Sequence, residues 1–111
     1  MGRKCNVCEP MLCNRAFLYV VEDEMRGLVK IGCTVNVSRR MSNYRANGNT
    51  FYRLVAKFDT GGCDFTATKK ERRALNSLDP AARVRGDWFD VDPAVAVRAA
   101  ERAIAGRGSD E

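Results

Sequence analysis

A chain of 111 residues, 45% hydrophobic and 30% charged, is long enough for one domain with a modest core and too rich in aliphatic side chains to stay unfolded. Lys and Arg number 19 against 14 Asp and Glu, a formal charge of +5, and the basic residues crowd the middle from Arg39 to Arg85, which favours a polyanionic partner. No apolar run approaches a membrane span, no apolar segment follows the basic N-terminus as in a secretory signal, and the chain has no histidine, so the expectation is a cytoplasmic protein whose proton transfers fall to Tyr, Lys, Glu and Asp.

Residues 1–15 read as a leader. Its Cys5, Cys8 and Cys13 follow the spacing C-x2-C-x4-C, three ligands of a zinc knuckle. No fourth Cys or His stands at a suitable distance, so Zn2+ is the weaker expectation beside reduced, unbridged thiols. Residues 16–22 form a β-type run and 28–33 its hairpin partner, joined through an acidic turn that ends in Gly27. Thr34 or Asn36 can cap a helix running to about residue 46, which Asn47, Gly48 and Asn49 break. Residues 51–59 alternate as a third strand and Gly61-Gly62 turns the chain. A second helix over 66–78 stops at Asp79-Pro80. Residues 83–91, with Trp88 and Phe89, make a short strand or an ordered loop. Asp92-Pro93 starts a third helix through the alanine-rich run to residue 105, and residues 106–111 are a polar tail. The order ββαβα, then a short strand and a helix, predicts an α+β fold: a small three-stranded, mainly antiparallel sheet flanked by helices over residues 16–91, with the helix of 92–105 packed on it through Val95, Ala96, Ala99, Ala100, Ala103 and Ile104.

Helix faces single out particular side chains. At about 100° per residue, Ala67, Ala74, Leu75 and Leu78 share one arc of the second helix, and Glu71 falls inside that arc. A carboxylate on an inward face costs desolvation energy unless a cation or metal meets it. Lys69, Lys70, Arg72 and Arg73 point elsewhere. On the first helix Val37, Met41 and Tyr44 form the apolar stripe; Arg40 flanks it and leans toward the sheet, while Arg39 faces away. Arg39, Arg45, Lys69, Lys70 and Arg73 are the candidate nucleic-acid contacts. Tyr19, Lys30 and Arg40 bring a hydroxyl, an ammonium and a guanidinium into one hairpin-plus-helix unit, and all three can donate to phosphate oxygens. Each also has an ordinary structural use, as strand packing or as a stem laid on the core.

This constellation resembles the GIY-YIG nuclease superfamily from about Phe17 to the Trp88-Phe89 pair. Leu18-Tyr19-Val20 stands at the first family tripeptide and Lys30-Ile31-Gly32 at the second, with Lys30 in place of a tyrosine. Arg40, eight residues after Gly32, has the spacing of the family arginine, and Glu71 matches the metal-binding glutamate. Lys30-Ile31-Gly32 together with Gly86-Asp87-Trp88-Phe89 looks like a phage-type branch often described only as a DNA-binding domain. Asn76 stands roughly where that branch has a histidine, and Asp87 where it more commonly has a glutamate. The resemblance implies phosphodiester hydrolysis with one divalent ion, Mg2+ or Mn2+, on DNA or, by the same chemistry, RNA. Glu71 would ligate the ion, Arg40 would hold the scissile phosphate, Tyr19 would position or deprotonate the attacking water, and Lys30 would lower the Tyr19 pKa or bind phosphate itself. The alternative on the same fold is a non-catalytic DNA-binding module in which Glu71 pairs with Arg40. A domain that binds only protein is a third reading.

Overall fold

The computed structural model of the protein describes residues 15–48, 51–62 and 64–105. The leader with Cys5, Cys8 and Cys13, and the polar tail, lie outside the described residues. Strands β1 (Phe17–Asp23) and β2 (Leu28–Thr34) form an antiparallel hairpin in which Tyr19 stands opposite Gly32. The Asp23 carboxylate shapes the turn between them by accepting the backbone N–H groups of Met25 and Arg26, and Gly27 closes it at a φ of 72° that favours glycine. Helix α1 (Val37–Ala46) starts at Asn36, whose side chain accepts the Arg39 N–H at 2.9 Å. Strand β3 (Tyr52–Asp59) returns along the other side of β1.

Helix α2 (Asp64–Asn76) begins and ends two residues earlier than the expected 66–78. Ser77 and Leu78 continue the chain as a tightened last turn, bonding back to Ala74 and Leu75, and Leu78 stays buried. A 3-10 turn (Pro80–Ala82), β4 (Arg83–Arg85), β5 (Trp88–Phe89) and helix α3 (Pro93–Ala105) complete the order.

The sheet has five strands in the order β3-β1-β2-β5-β4, every neighbouring pair antiparallel, and so corrects the expected three-stranded sheet while keeping the α+β class. The two further strands, three and two residues long, divide the segment 83–91, expected as one short strand or an ordered loop, and each is too short to show a period in sequence. Because β5 pairs with β2 only at Val29 and Lys30, the outer edge of β2 from Ile31 onward has no strand partner among the described residues.

Alternation along β1 and β2 feeds two separate cores. Leu18, Val20, Val29, Ile31 and Phe89 face α2 and α3. Tyr19 and Val21 face α1, where Val37 and Met41 pack on them. Covered on both faces, β1 reads as a continuous apolar run rather than an alternating one. On α3 the buried side chains are Ala96, Ala99, Ala100 and Ala103, small enough to let the helix lie close to the sheet, whereas Val95 is exposed. Each fully buried Leu or Ile in these layers stabilises the fold by about 1.5–3 kcal/mol relative to exposure.

Candidate functional site

Tyr19 projects from β1 on the α1 side and lies across β2 where Gly32 leaves room. A Cβ added at Gly32 would stand 2.5 Å from the Tyr19 Oη and 2.6 Å from its Cζ. The fully buried ring thereby carries its hydroxyl to α1. There the Arg40 guanidinium donates to it at 3.0 Å and the Tyr44 hydroxyl shares a hydrogen bond with it at 2.9 Å. Arg40 and Tyr44 are four residues apart, on one flank of the helix.

Lys30, two residues before Gly32 on the same face of β2, places its ammonium 5.9 Å from the ring centres of both Tyr44 and Trp88. Tyr52 links those two rings, 5.0 Å from each. Burial, and then the Tyr44 hydroxyl, push the Tyr19 phenol well above its ordinary range, with Arg40 pulling the other way. The expected lowering of the Tyr19 pKa by Lys30 is therefore corrected: the cation at the hydroxyl is Arg40, and at neutral pH Tyr19 keeps its proton.

Glu71 reaches β2 from the opposite face. Cys33, on the α2 side of the strand, donates its thiol to the Glu71 Oε1 at 3.5 Å. Burial raises the carboxyl above the usual carboxylate range and Asp87 adds to the rise, while the Cys33 hydrogen bond and the charges of Lys30 and Arg40 oppose it. Glu71 thus lies within electrostatic reach of Lys30 and Arg40 around the unpaired edge of β2. The ion pairs formed among the described residues are Arg15–Asp59, Arg26–Asp23 and Arg53 with Glu22 and Glu24, so the Glu71–Arg40 pair that the non-catalytic alternative expects does not form.

The other expected contacts divide. Arg39 is exposed on the outer side of α1, and Arg45 borders a groove between α1 and β3. Lys69 and Arg73 are exposed on α2. Lys70 is half-buried and its ammonium donates to the Ile104 carbonyl at 3.5 Å, which ties α2 to the end of α3; burial, then Arg73, lowers its pKa. Sequence reasoning missed the parts played by Tyr44, Tyr52 and Trp88. Tyr44 carried a usable signal, since a tyrosine four residues after Arg40 must share its flank.

Among the described residues no group of three or more Cys, Asp or Glu side chains gathers as a metal cluster, and no helix is long and apolar enough to cross a membrane. Glu71 offers oxygen ligands, which suit a hard cation. Comparisons with curated proteins and with solved structures gave no match. The family model that matches, over residues 16–104, is that of the T5orf172 domain. This corrects the expected membership in the GIY-YIG superfamily, because the matching model is that of a different family. The match fits a protein that acts on DNA. It spans all five strands and every side chain of the site just described, and the chain belongs to the T5orf172 domain family.

Proposed function

We propose that the protein is a metal-dependent endonuclease acting on DNA phosphodiesters. One observation carries this reading: a hydrogen-bonded guanidinium, Arg40, and a half-buried carboxylate with no paired cation among the described residues, Glu71, lie around the same open edge of β2. A carboxylate held at a desolvation cost, without a salt bridge to offset it, is the kind of group that a function retains.

In this reading Arg40 and Lys30 donate to the non-bridging oxygens of the phosphate and offset the negative charge that builds in the transition state. Tyr19, buried and protonated, is a positioning residue that holds the Arg40 guanidinium in place. Tyr44 shares that task and gives Lys30 an aromatic face. Glu71 would hold the divalent ion, Mg2+ or Mn2+, through its carboxylate oxygens. Bound there, such an ion supplies Lewis-acid polarisation of the phosphate and a more acidic water.

The test is nicking of supercoiled plasmid in Mg2+ or Mn2+. Arg40→Ala and Glu71→Gln are each expected to slow nicking by about 10²-fold or more. Glu71→Gln should keep its metal-free DNA binding. A Glu71→Gln protein with undiminished metal-dependent cleavage would overturn the proposal. The second reading, a DNA-binding module without cleavage, draws on the absence, among the described residues, of any group of three or more ligand side chains that includes Glu71. It predicts no nicking in either metal and salt-sensitive DNA binding that persists without one.

A further inference from the structure

On the flank away from Arg40, α1 faces β3 across an open groove of about 580 Å3. Ser38, Ser42 and Arg45 recur at helical spacing along the α1 wall. Lys57 stands on the β3 wall, and Met41 and Leu54 form an apolar floor. Leu54 is 36% exposed although it stands opposite the buried Val21 of β1, so the groove keeps an accessible apolar surface between its walls.

The charges in the groove are not all equivalent. Arg53, at one end, is held by Glu22 at 2.7 Å and Glu24 at 3.0 Å, which neutralises that end. Arg45 and Lys57 belong to no ion pair among the described residues, and Lys57 lies 5.7 Å over the Phe17 ring. Cations and hydroxyls on the walls with an apolar floor between them match a nucleotide that shows its phosphate and its base face together. A paired duplex keeps its base faces stacked inside and cannot meet such a floor; an unpaired strand can.

We propose that the groove between α1 and β3 binds a single-stranded segment of DNA, with its phosphates on Arg45 and Lys57 and a base on Met41 and Leu54. This rests on the DNA reading above and narrows its substrate. Helix α1 then stands between the phosphate held at Arg40 and an unpaired strand on the β3 side, so the substrate class is DNA with a single-stranded segment beside the site of action, such as a fork, a flap or a gap.

Fluorescence anisotropy with three labelled probes tests it: an oligothymidylate, a duplex of matching length, and that duplex with an unpaired flap. The wild-type chain should bind the oligothymidylate and the flap more tightly than the duplex. Arg45→Ala/Lys57→Ala should weaken oligothymidylate binding about tenfold and flatten its log–log salt slope by ~1.4, two single-strand phosphates at ~0.7 each, with little change for the duplex. Leu54→Glu, at an already exposed position, should weaken the oligothymidylate while leaving the thermal melt unchanged. An unchanged affinity of the double variant for oligothymidylate, or an equal loss for the duplex, overturns the proposal. A wild-type chain that binds the duplex but not the oligothymidylate overturns this proposal alone, whereas one that binds none of the three probes overturns the DNA reading beneath it.

Discussion

Gly32 is where a single missing atom decides the geometry of the site. Its place opposite Tyr19 lets the ring cross β2, and the ring's direction in turn sets where the Arg40 guanidinium is held. Gly32→Ala sets a methyl group where the phenol lies. We expect a loss of about 1–3 kcal/mol in urea-unfolding stability, the usual scale of overpacking. If the nuclease reading holds, nicking should fall alongside it as in Arg40→Ala. Unchanged stability would mean that the ring has another place to go. The glycine itself was legible in the sequence, but its reason was not. A one-dimensional pattern shows Lys30-Ile31-Gly32 as adjacent residues, while the constraint on Gly32 comes from register with a neighbouring strand. Tyr44 was legible as part of an apolar stripe, yet its hydroxyl works at the polar rim of that stripe, a distinction that periodicity does not carry.

At the scale of elements, α1 is the piece on which most of the proposed chemistry depends, since it carries Arg40 and Tyr44 on one flank and Arg45 on the other. It is ten residues long, too short to be stable alone, and it rests on Val37, Met41 and its cap. Asn36→Ala removes the acceptor for the Arg39 N–H and should cost about 1 kcal/mol in chemical denaturation. No change would show that Thr34, which already accepts the Asn36 N–H, takes over the cap. The cap and both faces of α1 could be read from sequence, as could the arc of α2 with Glu71 inside it and the proline start of α3. The β4–β5 hairpin could not, because strands of three and two residues are defined by the partner they join, here Val29 and Lys30 of β2, rather than by any pattern of their own.

For the whole molecule, the cost of keeping Glu71 where it is should be measurable as a dependence of stability on pH. Burial raises its pKa in the folded state, so the fold favours the protonated form more than the unfolded chain does. The associated stability is fully present below the unfolded carboxylate pKa and is lost as the pH rises through the folded one. Glu71→Gln removes that loss. Its Tm should exceed that of the wild-type chain at neutral pH, and the difference should fade as the pH falls through the carboxylate range. A Glu71→Gln protein that melts lower at neutral pH would mean that the ionised carboxylate supports the fold.

The unpaired stretch of β2 beyond Lys30 also has a bearing on what kind of molecule the protein can work on. Arg40 approaches this stretch from one side of the sheet and Glu71 from the other, so whatever engages both must wrap around the rim of the strand. A rim selects by curvature and not by enclosure. In the nuclease reading, such a rim would admit a polymer sideways at any point along its length, with no free end to thread.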